Sequence, residues 1–349
     1  MANPPTDYYV DPSIAGNSGA GTVGDPYGDL QYALDTITQD TTDGDRINVK
    51  AGTAEILTAA LSLTTYGTPN YAYPLIFQGY TTSQGDGGIG AIDCQTFTAI
   101  TNAGNGISWF DMEVYDGPST GSLITLLGFS SIAGCYIHDS DGHGLTVSGD
   151  YSAVVGNRFE DLGSSGYHML GVNNNVDGPI INGNYFKQGA SRTCDHAAKI
   201  QGPYTAFTAN IISIDSTSDG VDFTKYGCYV DGNTILSSSG TGIGINLSST
   251  FDMCNHVVNN YIEGFSGAGG VGLSNASSSN GSGVFGQNAY YNNTTDQTQN
   301  CELNYELGDN ETLGATGLTK SGSDTYANRF TYFEPVDTGN MVSGGFPEA

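Results

Sequence analysis

Polar and apolar positions along this chain alternate with a period of two far more often than with the period of a helix. The alternating runs are short and are separated by Gly, Asn, Asp and Ser. Alternation of this kind puts residues i and i+2 on one side of an extended strand, so each run reads as a short β-strand ended by a tight turn. One beat recurs: Met112-Glu-Val114, Cys135-Tyr-Ile137, Asn157-Arg-Phe159, Asn184-Tyr-Phe186, Asn210-Ile-Ile212, Asn233-Thr-Ile235, Asn260-Tyr-Ile262 and Asn288-Ala-Tyr290. Steps between first positions run from 22 to 28 residues and average about 25. A second beat falls between them, at Gly144-Leu-Thr-Val147, Gly166-Tyr-His-Met-Leu170, His196-Ala-Ala-Lys-Ile200, Gly242-Ile-Gly-Ile-Asn-Leu247 and Gly270-Val-Gly-Leu273.

A repeat of about 25 residues suits one coil of a parallel β-helix, in which two or three strands turn around a narrow core and stack on the next coil. In such a coil Asn157 and Phe159 both point inward. A buried Asn repeated in register can hydrogen-bond the turn backbone and the Asn of the adjoining coils, which satisfies its polar atoms. Asn157, Asn184, Asn210, Asn233, Asn260 and Asn288 are therefore expected to form a structural ladder that ends where Cys135 and Met112 replace it.

The first hundred residues are less regular. The apolar spacing in Leu30-Gln-Tyr-Ala-Leu34 and Ile37 predicts a short amphipathic helix, and Gly44-Asp-Arg-Ile-Asn-Val-Lys50 and Pro74-Leu-Ile-Phe-Gln-Gly-Tyr80 predict two strands. A helix over the open end of a solenoid would shield its terminal coil. The expected organisation is an N-terminal segment with capping helix over 1–45, a β-helix over 46–295, and a C-terminal cap or strap over 296–349 that could instead dock on another subunit.

The opening Tyr8-Tyr-Val-Asp-Pro12, the Gly- and Asn-rich loop after it, the capping helix, then Gly-Asp-x-Ile-x-Val and Pro-Leu-Ile-Phe-Gln-Gly-Tyr resemble right-handed parallel β-helix repeat proteins of the pectate-lyase-like superfamily. The resemblance covers residues 8 to about 295 and implies an all-β, single-stranded, right-handed solenoid. It says little about function, since that superfamily holds polysaccharide lyases, glycoside hydrolases, phage tailspikes and fibres, and non-catalytic surface proteins.

Charge narrows the choice. Nine Lys and Arg against 36 Asp and Glu give a formal net charge of −27. Nucleic acids and anionic membrane surfaces are held by clustered cations, so neither is an expected partner. No run approaches the roughly 18 apolar residues of a membrane helix, and Met1 is followed by Ala-Asn-Pro-Pro, so no membrane insertion and no signal peptide are expected. So acidic a surface also suits a saline or marine habitat. The six Cys have no metal-site spacing and read as buried thiols.

Candidate chemistry sits in three places. Lys187, Arg192, Lys199 and Lys225, with Asp195 and His196, are the densest basic group and the weak candidate for a catalytic centre. The turn His138-Asp-Ser-Asp-Gly-His143 offers Asp139 and Asp141 as candidate Ca²⁺ ligands, and Asp215, Asp219 and Asp222 form a second acidic run. Gly142-His-Gly144 and Ser218-Asp-Gly-Val-Asp222 resemble fragments of the polygalacturonase pattern, in reversed order and without its Asp-Asp and Arg-Ile-Lys elements. Tyr167, Tyr185, Tyr204 and Tyr226 are candidates to stack on sugar rings.

These features predict a virion-surface protein, a tail fibre, spike or capsid decoration, that contacts other virion subunits or host glycans. It would be a homo-oligomer, with a trimer the viral precedent, located on the particle or outside the cell. A secreted polysaccharide lyase or glycoside hydrolase is the first alternative and a cell-surface adhesin the second.

Overall fold

The computed structural model describes residues 4–101, 104–188, 192–214, 217–238, 240–248, 255–276, 283–298 and 311–313. The chain is a right-handed parallel β-helix whose coils, once the third sheet begins at Ser122, lay strands on three faces. The first face has eleven strands, from Thr6–Val10 and Asp45–Lys50 to Val284–Gly286. The second has eleven, from Glu55–Ile56 to Glu311–Thr312, and the third has eight, from Ser122–Leu126 to Thr295–Gln297. One coil runs through Ala153–Val155, Arg158–Leu162 and His168–Val172 before Ile180–Asn182 returns to pair in parallel with Ala153–Val155.

The corner between the first and second faces explains the Asn beat. It is made of two residues, the first left-handed and the second Asn: Gly156 (φ 63°) before Asn157, Gly183 (φ 65°) before Asn184, Gly232 (φ 65°) before Asn233. Glycine takes this conformation without steric cost, which is why it recurs there. Ala209, Asn259 and Gln287 adopt it before Asn210, Asn260 and Asn288. Each Asn side chain then turns inward, at most 1% exposed. Asn210 shows the pattern: its backbone N–H and Nδ2 donate to Asn233 Oδ1 at 2.9 and 3.0 Å, Nδ2 also donates to the Ile181 carbonyl at 3.1 Å, and its Oδ1 accepts from Asn184 N and Nδ2 at 2.9 and 3.0 Å. The same bonds link 157 to 184, 233 to 260 and 260 to 288, and Cys135 N donates to Asn157 Oδ1 at 2.9 Å. Inside this polar corner the core is a set of apolar columns, with Phe77 stacked on Trp109 at 4.4 Å and Phe159 on Phe186 at 4.8 Å.

The helix Leu30–Thr36 starts at Asp29, whose carboxylate accepts from Tyr32 N at 2.6 Å, and buries Leu30, Ala33 and Leu34. Gln31 ties it to the coil by donating to the Ser62 carbonyl and accepting from Ser62 N. Thr6–Val10 pairs in parallel with Asp45–Lys50, so the first sheet extends across the boundary expected at residue 46. Of the expected C-terminal unit, only 296–298 and 311–313 lie among the described residues. Cys94, Cys135, Cys194 and Cys228 are buried free thiols, and Cys254 and Cys301 lie outside the described residues.

Candidate functional site

On the third face the leading position of successive strands runs Ser122, His143, His168, His196, Asp219, Ile243. Its neighbour Gly144 packs tightly against the core: a Cβ there would lie 2.5 Å from Leu162 Cδ1. The outcome is a column of three imidazoles along the rod, with ring centroids 5.0 and 4.9 Å apart, ending on a carboxylate. The His168 backbone N–H donates to His143 Nδ1 at 3.0 Å, which leaves the proton of neutral His143 on Nε2. His196 Nδ1 meets His168 Nδ1 at 3.3 Å, and its Nε2 lies between two carboxylates, 3.6 Å from Asp219 Oδ2 and 3.7 Å from Asp222 Oδ2.

Burial sets the electrostatics of this group. Desolvation, assisted by the charges of His196 and His143, pushes His168 down to about 3, so it is neutral at ordinary pH. His196 is pushed down by desolvation against the opposing pull of Asp222 and Asp219. Asp219 is pushed up by desolvation, although it accepts from Ile243 N at 2.7 Å. Burial thus works against charge on both members of the His196–Asp219 pair. Asp222 is 5% exposed and its Oδ1 has no hydrogen-bond partner among the described residues. An acid whose burial favours its protonated form, next to an imidazole and a second acidic side chain, is the equipment of general acid and base chemistry.

Of this group, His196 and Asp219 open on a cleft of about 590 Å³ lined also by Asp141, Ser164, Ser165, Arg192, Thr193, Cys194, Asp195 and Thr217. Its one cation is engaged. Arg192 Nε donates to Asp141 Oδ1 at 2.8 Å, and Nη1 donates to Asp139 Oδ1 and Asp161 Oδ2, each at 3.1 Å. A guanidinium therefore lies where Ca²⁺ was expected between Asp139 and Asp141. Asp195 accepts from Gly166 N at 3.0 Å.

The other expected residues are dispersed. Lys199 is the register partner of Asp222 on the third face, Lys187 lies on the second face, and Lys225 lies in the turn leading to the first face. The basic residues read as one group from the sequence are thus spread around the coil, because successive strands of a coil face in different directions. Tyr167 packs edge-on against His143 with ring centroids 5.0 Å apart, beside the cleft. Tyr185 is 0% exposed, in a small cluster with Leu236, Tyr261, Ala289 and Leu313, so it presents no face to a sugar. Tyr204 and Tyr226 are exposed and meet edge to face at 5.5 Å, on the far edge of the third face. Asp215 lies outside the described residues. Neither His168 nor the alignment of the three His with Asp219 is singled out by the sequence; the alignment emerges only when the strands pair in register.

No protein-family model and no curated protein matches the sequence. Among solved structures, the chain is similar to XylC in complex with xylose, with TM-score 0.57 and 10% identity, covering 84% of this chain and 70% of that one. It is also similar to the Dettilon tailspike protein gp208, with TM-score 0.50 and 12% identity, covering 87% of this chain and 68% of that one. A third, the pectate lyase Pel9A, has TM-score 0.47 and 14% identity, covering 90% of this chain and 74% of that one. At these identities the likeness is one of fold, the parallel β-helix.

Proposed function

We propose that this chain is a surface-displayed β-helix of a virus particle, of the tail-fibre or spike kind, that engages glycans through the cleft at His196 and Asp219. The observation that carries the glycan assignment is the cleft itself: open, built across successive coils, and lined by hydroxyl, carboxyl and imidazole groups suited to sugar hydroxyls. One structurally similar protein is a tailspike and another holds xylose, which is consistent with this reading. Four buried thiols and no disulfide among the described residues suit synthesis in a reducing compartment. The test is peptide mass spectrometry of purified particles that carry the gene, with a glycan-binding assay on the isolated protein. Particles that lack the protein would refute the virion role.

A second reading, a glycan-cleaving enzyme, is favoured by the Asp219, His196 and Asp222 arrangement. In a hydrolysis, Asp219, whose burial favours its protonated form, would give a proton to the departing glycosidic oxygen while a carboxylate activates the water that attacks the sugar carbon. A lyase acting on uronates is less well served, because the cleft's Arg192 already pairs with three carboxylates. Product analysis on neutral, uronate and sulfated polysaccharides decides it. Saturated oligosaccharides that vanish with Asp219→Asn support hydrolysis, unsaturated ends support elimination, and no products refute cleavage.

A further inference from the structure

A second surface lies across the third face from the cleft, at the corner where the chain turns into the first face. Among the described residues, eight of the twelve exposed large hydrophobic residues gather there or on the adjoining first face: Tyr71, Phe129, Tyr151, Val155, Ile180, Tyr204, Tyr226 and Tyr229. A concentration of this kind marks a binding surface. Its centre is a column with one residue from each coil, two positions before the first residue of each pairing register: Gly106, Phe129, Tyr151, Gly178, Tyr204, Gly227.

Every residue of this column is left-handed: Gly106 (φ 78°), Phe129 (φ 57°), Tyr151 (φ 56°), Gly178 (φ 63°), Tyr204 (φ 56°) and Gly227 (φ 71°). For a bulky side chain this conformation is unfavourable, and glycine, which avoids the cost, holds it in three of the six coils. Aromatics in the other three are therefore strained where the fold would accept glycine, the kind of outlier from which a functional role is inferred.

The glycines also shape the rings' setting. Tyr151 lies over Gly178, where a Cβ would come within 3.4 Å of its Cδ1, and Tyr204 lies over Gly227, where a Cβ would come within 2.6 Å. Each ring thus has one side against the next coil and the rest open, with Phe129, Tyr151 and Tyr204 exposed by 50, 62 and 58%. Ring centroids follow the rod axis at 5.4 Å from Tyr71 to Phe129 and 5.7 Å from Phe129 to Tyr151. Beside Tyr151 stand exposed Asp150, Asn173, Asn174, Asn175 and Asp177, which accept and donate hydrogen bonds without a cation among them.

We propose that this aromatic column is a second glycan site, a track along which an uncharged, unbranched polysaccharide lies parallel to the rod with its sugar faces on the rings. The acidic flank disfavours an anionic chain, and a second copy of this protein would bring a net charge of −27 against its own like. The inference rests on the glycan reading above but on different residues from the cleft.

The test is affinity electrophoresis of the full chain through gels containing xylan, β-mannan, laminarin, hydroxyethylcellulose or dextran. It compares wild type, the triple variant Phe129→Gly/Tyr151→Gly/Tyr204→Gly, and the cleft variant Asp219→Asn. At least one polysaccharide should retard the wild type, and the triple variant should bind it at least about tenfold more weakly. Its melting temperature should hold or rise, because glycine suits the left-handed positions. A triple variant retarded like the wild type would overturn the track, and if Asp219→Asn alone lost retardation, the cleft reading would survive it. Absence of retardation in all five gels would refute both. A triple variant whose only change is a smaller sedimenting species would assign the column to contacts between copies instead.

Discussion

Replacing Asn210 by Ala tests whether the ladder holds the coils together or merely occupies a corner. The side chain lies at 0% exposure in the middle of the ladder. Its loss removes the acceptor shared by Asn184 N and Asn184 Nδ2 and the donor to the Ile181 carbonyl, so up to three buried polar groups lose a partner. Each buried group left unsatisfied costs about 1–3 kcal/mol, and partial relaxation keeps the total below the sum, so a loss of about 3–5 kcal/mol is expected. That is a large share of the roughly 5–15 kcal/mol by which a domain is stable. Asn157→Ala, at the ladder's end, deprives Cys135 N and the Ile132 carbonyl, one group fewer, and should cost less by about 1 kcal/mol or more. The assay is urea unfolding followed by far-ultraviolet circular dichroism and by the fluorescence of Trp109, the single Trp, buried against Phe77 in an early coil. Because solenoid coils contact mainly their neighbours, the two transitions should separate in Asn210→Ala if the ladder couples the coils. A loss below about 1 kcal/mol with coincident transitions would refute the reasoning.

Three further outcomes follow from the charges. His168 is pushed down to about 3 from its ordinary 6.5, so between these values the unfolded chain binds a proton that the folded one refuses. Its contribution is complete above about pH 6.5 and is lost on acidification by at most about 1.4 kcal/mol per pH unit, a slope that His168→Asn should lower in urea titrations at pH 7.5 and 5.0. Equal slopes would contradict the burial argument. Glu55, buried and close to Asp29 at the helix start, is pushed up from 4.5 to about 7. There the folded chain keeps the proton, so the wild type should lose up to about 3 kcal/mol as pH rises from 4.5 through 7, while Glu55→Gln should not; a wild type that gains on Gln at pH 8 would count against it. Arg192→Ala leaves Asp139, Asp141 and Asp161 facing one another. Because these groups are partly exposed, a loss of only about 1–2 kcal/mol is expected, and melting curves should show millimolar Ca²⁺ restoring it in the variant but not changing the wild type.

Which parts of the molecule could be read from the sequence depends on which corner of the coil they occupy. From the coil of Ser131–Ala133 onward the corner between the first and second faces is two residues long, so Asn157 stays two positions before Phe159 and the beat repeats visibly. The passage from the second to the third face varies: five residues separate Leu162 from His168, but eight separate Lys187 from His196. His143, His168, His196 and Asp219 consequently stand 25, 28 and 23 residues apart, and their column exists only once the strands are paired. Asp139 and Asp141 read as a Ca²⁺ turn for the same reason, since Arg192, the cation that holds them, is 53 and 51 residues away. Tyr185 marks a different limit. Period-two alternation puts it on the side of its strand opposite the core residue Phe186, but alternation cannot tell an open outer side from a covered one, and Tyr185 is covered. Catalytic and binding groups on a solenoid are assembled across coils, whereas the fold is written within each coil. The same sequence can therefore declare its architecture and leave its chemistry to be found in the register.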